Sequence, residues 1–214
     1  MYKRQDLIDY TKVIIEEADR LRNLVDRLVG SRKPPELKEI NIHEVLERVR
    51  NLITAETLGK GIKLYCDYDP SLPAVLADSE KMIQALLNLL RNSLQALTSP
   101  KIDHQLGEII LRTRISRNIT IASKFYKLAV AIEIIDNGPG IPQEISETIF
   151  YPMISGRPDG SGLGLPISHG IVTQHGGMIE CDRRPGETKF TVTMPVKRNS
   201  KFSNSKVQQV NELK

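Results

Sequence analysis

Residues 128–135, Leu-Ala-Val-Ala-Ile-Glu-Ile-Ile, form an apolar run that closes in Asp136-Asn137-Gly138-Pro139-Gly140-Ile141. The run reads as a buried strand that delivers one carboxylate and then a glycine turn. Two glycines two apart let the backbone take conformations that a β-carbon forbids, and let a ligand approach closely. An acid at a strand end, facing such a turn, suits a flat polar ring better than a phosphate. Asn-Gly and Pro-Gly are also ordinary turn pairs, so a strand that simply ends in a type I or II turn is the other reading.

The 214 residues suit one domain of ordinary size with an appendage, or two small ones. Trp is absent and aromatics make up only 5%, so the expected core is aliphatic. The formal charge of +4 resides in the tail from 197 to 214, which carries five Lys/Arg and one Glu. The rest of the chain is balanced, and the basic pI does not point to nucleic acid. Cys66 and Cys181 are not in a Cys-x-x-Cys pair, which argues against structural zinc and a disulfide framework. Both lie in strand-like runs and are expected to be small buried residues. No apolar run of about 18 residues is present and no signal peptide is visible. A cytoplasmic chain without membrane or nucleic-acid contact is the expectation.

Along the chain, residues 7–29 predict a helix. Leu7, Ile14, Leu21 and Leu28 recur every seven residues, with Thr11, Ala18 and Val25 four after the first three. That is the seam of a helix packed on other helices. Gly30 and the prolines at 34 and 35 end it, and a domain boundary falls there. After a short extended piece at 39–42, the pattern predicts helices over 43–58 and 79–97, the second capped by Asp78 or Ser79. Strands are expected at 62–68, 107–115, 126–135, 178–182 and 188–196, with 116–125 as a hairpin extension. A short helix at 142–149, a mobile loop at 150–161 and a helix at 165–175 complete the pattern. Adjacent strands late in the chain imply a mixed sheet with helices on one face. The expected fold class is therefore α+β, a two-layer α/β sandwich. The domains expected are 1–30, a linker at 31–38, a second domain at 39–197 and a disordered polar tail from 198.

Two more stretches carry chemistry. Gly160-Ser161-Gly162-Leu163-Gly164-Leu165 runs straight into a helix, whose N-terminal N–H groups and partial positive charge suit phosphate. The spacing matches neither a P-loop nor the dinucleotide fingerprint, so a plain loop stays open. On the helix over 79–97, Asn88 and Asn92 are four apart on one face beside buried leucines. Their carboxamide oxygens suit a magnesium ion shared with phosphate oxygens, or they bond to neighbouring backbone.

The order of these three signals resembles the ATP-binding domain of sensor histidine kinases, within the wider group that holds gyrase, Hsp90 and MutL ATPases. The phrases Leu-Asn-Leu-Leu-Arg-Asn-Ser-Leu-Gln-Ala-Leu, Asp-Asn-Gly-Pro-Gly-Ile-Pro, Phe-Tyr-Pro-Met-Ile-Ser-Gly-Arg and Gly-Ser-Gly-Leu-Gly-Leu carry the resemblance over residues 40–196. The phrase at 9–28 makes the likeness nearest to the nitrogen-regulation sensor kinases. The resemblance implies the Bergerat ATP-binding fold, with ATP and magnesium as cofactors. It assigns Asp136 to the adenine amino group, with Thr188 joining through water, and Gly138, Gly140 and Ile141 to the base. Asn88 and Asn92 would hold magnesium and phosphates, and Gly160, Ser161, Gly162, Leu163, Gly164 and Leu165 would cradle the phosphates. Residues 150–159 would form a lid, from which Arg157 reaches the terminal phosphates.

The ATPase relatives carry a water-activating Glu where this chain has Asn88, and a carboxamide is no general base. The resemblance therefore implies phosphoryl transfer to a histidine rather than hydrolysis, catalysed by positioning and charge stabilisation involving Asn88 and Arg157. That histidine stands in a His-Glu-x-x-Asn-Pro-type phrase on the first helix of a hairpin whose second helix residues 7–29 resemble. His43, His104, His169 and His175 do not fit it and are expected to be structural or surface residues. The chain reads as truncated before that helix, without an input sensor domain. Implied partners are a second copy through the hairpin, the receiver domain of an NtrC-like response regulator and a PII-type regulator. The other reading is a nucleotide-binding regulatory module without kinase activity of its own.

Overall fold

The computed structural model describes residues 34–57, 59–98, 106–156, 160–184 and 186–196. The helix expected at 7–29, its expected stop at Gly30, His104, Arg157 and the tail from 198 lie outside them.

Five strands form the main sheet: β2 (Ile62–Asp67), β4 (Gly107–Ile121), β5 (Lys124–Asp136), β6 (Met178–Arg184) and β7 (Glu187–Pro195), in the order β2-β4-β5-β7-β6. Only β2 and β4 are parallel; the other pairs are antiparallel. A second, two-stranded sheet pairs β1 (Lys38–Ile40) with β3 (Val75–Ala77). Among the described residues three helices accompany them: α1 (Ile42–Thr57), α2 (Ser79–Leu97) and α3 (Gly164–Gln174). The mixed sheet with helices on one face is the expected α/β sandwich.

The period of each apolar pattern decides which face goes inward. On α1, Val45, Leu46, Val49 and Ile53 follow helical spacing and are buried. On α2, Met82, Leu86, Leu89, Leu90 and Leu94 do the same. They meet alternate strand residues, Ile109, Leu111, Ile132, Ile134, Phe190 and Val192, in one aliphatic core that also takes Ile171 and Val172 of α3. The opposite sheet face carries charge across the strands. Arg112 Nε bonds Asp67 Oδ2 at 2.8 Å and its Nη1 lies 3.6 Å from Glu133 Oε2. Lys189 Nζ pairs with Asp182 Oδ2 at 3.0 Å. Hydrogen bonds from Arg114 and Arg112 hold the Asp67 carboxyl below the usual carboxylate range.

Three local expectations need correction. Strand β3 escapes the sequence pattern because three residues show no period and its partner lies 37 positions away. The helix expected at 142–149 is a single 3₁₀ turn, Gln143–Ile145. Cys66 is exposed, because β2 is an edge strand; only Cys181 is partly buried. The hairpin extension is real: β4 and β5 stay in register to Ile121 and Lys124. Its two-residue turn, Ala122-Ser123, has φ of +46° and +66°, the conformation usually given to Asn-Gly.

Asp78 joins three parts of the fold. Its Oδ1 accepts the N–H of Glu80 (3.1 Å) and of Lys81 (3.2 Å), capping α2. Its Oδ2 accepts the N–H of Glu36 at 3.0 Å, just before β1. Its own N–H donates to Nε2 of His175 at 3.0 Å, where α3 ends. His175 is 2% exposed and its Nδ1–H donates to Ile171 O at 2.7 Å, which sets the tautomer that accepts at Nε2. His175 is thus structural, as expected, and His43 also makes structural contacts, with Thr113 and Tyr68.

Burial opposes the ionised form of Asp78, but the N–H bonds from Lys81, Glu36 and Glu80 outweigh it and lower the carboxyl's pKa. A carboxylate whose folded pKa is depressed stabilises the fold above its unfolded value, and that share is lost as pH falls through the folded one. Asp78→Ala is expected to lower stability by about 1–2 kcal/mol near neutrality, as for other lost N-caps. In urea unfolding across pH, the gap between wild type and variant should narrow below about pH 4. A gap that stays constant into acid would contradict this account.

Candidate functional site

The apolar run at 128–135 becomes the last part of β5, the central strand of the sheet. Its end places Asp136 at 2% exposure. The carboxylate Oδ1 accepts the N–H of Gly138 at 3.0 Å. A β-carbon on residue 138 would lie 2.7 Å from that oxygen and 3.3 Å from Cβ of Ala96 on α2. The turn therefore needs glycine for close approach, to its own carboxylate and to the helix. Directly opposite Asp136 in the β5–β7 register stands Thr188, 3% exposed. Gly140 and Ile141 continue toward β6, where Arg183 Nη1 donates to Ile141 O at 3.4 Å.

Cys181 lies on the same side of the sheet. Burial pushes its thiol up to about 12, helped by the negative charges of Asp182 and Asp136. It is an inert lining residue rather than a nucleophile.

The glycine loop opens α3 as the sequence implies, one residue earlier than expected, at Gly164. Among the described residues no side chain caps that helix, whose first N–H groups face the glycine loop. Gly162 has φ of +63°, and a β-carbon there would come within 2.6 Å of the Met153 backbone. Its carbonyl accepts the N–H of Met153 at 3.1 Å. Gly160 and Ser161 are exposed; Leu163 is buried and Leu165 packs on the core. The loop is thus anchored at one end by apolar contacts and open at the other.

Helix α2 joins the two regions. Asn88 and Asn92 are half-buried one turn apart. Asn88 Nδ2 donates to Gly164 O at 3.4 Å, so its amide nitrogen faces the start of α3 and its oxygen remains as the acceptor. At the other end of the same helix, Ala96 approaches Gly138. One helix thus carries Asn88 and Asn92, meets the glycine loop at Asn88 and meets Gly138, the turn after the Asp136–Thr188 pair, at Ala96. Arg157 lies outside the described residues.

Two contributors were missed from sequence. Asn137, taken there as half of a turn pair, bonds twice to the neighbouring strand: Oδ1 accepts Glu108 N–H at 2.7 Å and Nδ2 donates to Leu106 O at 3.1 Å. Ser168 Oγ bonds Ala85 O and Gly164 O, both at 3.0 Å, tying α3 to α2 behind the glycine loop. An Asn one residue after the acid carries a faint signal, since its short side chain bonds local backbone readily. Ser168 carries none, because its partner lies 83 residues away.

The model of the histidine kinase-, DNA gyrase B- and HSP90-like ATPase family matches residues 77–198, more than half of the chain. The chain belongs to this family. Over 192 residues it is 49% identical to the sensory histidine kinase/phosphatase NtrB of Escherichia coli O157:H7, covering 90% of this chain and 53% of that protein. It thus spans about half the length of the curated relatives it matches. Among solved structures it resembles the nucleotide-free catalytic domain of histidine kinase ThkA, with TM-score 0.61, 26% identity and coverage of 75% of this chain and 95% of that one. It also shares its fold with ThkA in complex with the response regulator TrrA, with TM-score 0.63, 24% identity and coverage of 92% and 53%. The molecule is an NtrB-like ATP-binding domain of histidine-kinase type.

In this NtrB-like domain, Gly138→Ala is expected to cost about 1–3 kcal/mol in urea unfolding, the range for overpacking a tight site. The added methyl must displace either the Asp136 carboxylate or α2. A variant as stable as the parent would show that the turn has room that these distances deny.

Proposed function

We propose that the chain is the catalytic ATP-binding part of an NtrB-like sensor histidine kinase. It binds ATP with magnesium and passes the γ-phosphoryl group to a histidine on a hairpin domain. The observation that carries this reading is Asn88, a carboxamide held against Gly164 at the open helix start. A carboxamide positions phosphate and metal but takes no proton from water, which favours transfer over hydrolysis.

In this reading Asp136 accepts from the adenine amino group, with Thr188 beside it and Gly138, Gly140 and Ile141 along the ring. The cradle fits: only a residue without Cβ leaves space at 138 beside the carboxylate. The phosphates lie along Gly160–Leu165 at the N-terminus of α3. Asn88 and Asn92 would hold magnesium. Among the described residues no group of three or more His, Cys, Asp or Glu could hold a metal. Two carboxamide oxygens nevertheless suit magnesium, which takes its remaining ligands from phosphates and water. When bound, the metal neutralises charge on the phosphates. Arg157 is assigned, from the sequence, to the terminal phosphates.

We further read residues 1–30 as the second hairpin helix, 31–38 as a linker, 39–197 as the ATP-binding domain and 198–214 as a polar tail. Pairing with a second copy through the hairpin, a receiver domain as phosphoryl acceptor, a PII-type regulator and a cytoplasmic location follow from the same likeness. No helix among the described residues is long and apolar enough to cross a membrane.

Incubation of the chain with γ-labelled ATP, magnesium and a separately made hairpin domain should label the hairpin's histidine. Calorimetry should show that Asp136→Asn abolishes ATP binding. Tight binding without any transfer would support a regulatory nucleotide module, and steady phosphate release would support an ATPase. Unchanged affinity in Asp136→Asn would remove the base site from this strand end.

A further inference from the structure

The turn after Asp136 does not stay beside its own strand. Asp136 ends β5, Thr188 stands opposite it on β7, and Arg183 stands opposite Thr188 on β6. All three belong to the face of the sheet that carries Ile134, Phe190 and Cys181, the core face. By Gly140 the chain has crossed the start of β7 and lies against β6. A β-carbon on Gly140 would sit 3.6 Å from the Arg184 carbonyl, and Arg183 Nη1 donates to the Ile141 carbonyl at 3.4 Å.

Arg183 differs from the arginines on α1, α2 and β4. Arg48, Arg50, Arg91, Arg112 and Arg114 each pair with a carboxylate. Among the described residues Arg183 pairs with none, and it directs an N–H to a backbone carbonyl 42 positions away. A bond to a carbonyl orients the rigid peptide plane that carries it, and so fixes the backbone at Ile141. The Ile141 side chain is partly buried and packs on the core. Beside burial and the charge of Asp182, the Cys181 thiol feels the Asp136 carboxylate and, in the opposite sense, the Arg183 cation. Carboxylate and guanidinium thus flank one lining residue.

We infer that Arg183 sets the affinity for the base by clamping the far end of this turn from β6. The inference rests on the ATP-site reading above, in which Ile141 lies along the ring. The near end of the turn is fastened by Gly138 to Asp136 and by Asn137 to β4. Without a second fastening, Ile141 has to be ordered each time a ligand enters, and that ordering opposes binding. The bond from Arg183 orders it beforehand. Arg183 does not touch the base; it is a positioning residue acting through the backbone of Ile141. Its contribution comes from donating a hydrogen bond, not from attraction to the phosphates, so an uncharged nucleoside feels it as much as ATP does.

Arg183→Ala in the full chain tests this, with ATP and adenosine titrated in parallel by calorimetry. Both affinities should fall about fivefold, the size of one net hydrogen bond. Arg183→Lys, which keeps a donor of similar reach, should recover most of the loss. In the transfer assay with the separate hairpin, KM for ATP should rise by the same factor while kcat holds. In an Ile141→Ala background, Arg183→Ala should have little further effect, because the residue it positions is gone. Unchanged adenosine affinity would overturn the inference. So would a loss confined to ATP that fades in high salt, which marks simple attraction to the phosphates, or a full further loss in the Ile141→Ala background. Asp136→Asn, run beside these, separates the two levels. If that variant loses ATP while Arg183→Ala keeps it, only the role of Arg183 fails. If Asp136→Asn binds ATP normally, the site reading fails and the role of Arg183 falls with it.

Discussion

The carboxylate of Asp136 sits at the buried end of a central strand, and much of the fold arranges its surroundings. A buried carboxylate needs donors, and Gly138 supplies one from the chain's own turn. The turn can fold back that closely only without a β-carbon, and the same absence lets α2 pack against it through Ala96. Asn137 then fastens the turn to β4 with two side-chain bonds. Strand, turn and helix are thus fixed relative to one another by a small set of polar contacts at the edge of an aliphatic core.

Helix α2 transmits that arrangement to the other end of the site. Its apolar stripe is buried against the sheet, and an adjoining stripe presents Asn88 and Asn92. Asn88 meets Gly164 where α3 begins, and Ser168 bonds α3 back to Ala85. Asp78 caps α2 and reaches both the strand side, through Glu36, and the end of α3, through His175. One helix with one acidic cap therefore spaces the strand-end acid from the glycine loop. The outer end of the loop, Gly160 and Ser161, is exposed, while Ser168 ties the helix behind it to α2 by a buried hydrogen bond.

The strongly periodic elements were legible in the residue pattern. Helices α1 and α2 and the core portions of β4, β5 and β7 follow apolar spacings that no other structure satisfies. The cap of α2 was readable only as Asp78 or Ser79, and the structure settles on Asp78. The single-turn helix after Pro142 and strand β3 were not readable, because neither is long enough to show a period. The turn at Ala122-Ser123 was hidden for another reason. Its positive φ angles are imposed by the strand register on residues that do not favour them. Cys66 was misread because a strand pattern does not tell an edge strand from a central one.

By itself, the sequence determined the order of the elements, the aliphatic core and the three glycine- and asparagine-bearing phrases, since these depend on local spacing and residue chemistry. Only the tertiary structure decided that Asp136 is buried opposite Thr188, that Asn88 faces Gly164 and that His175 closes on Asp78. Those pairings join residues 52, 76 and 97 positions apart. Local propensity carries no information about contacts at such range; they form because burying the apolar faces of α2, α3 and the sheet together leaves these polar groups one arrangement in which they are bonded.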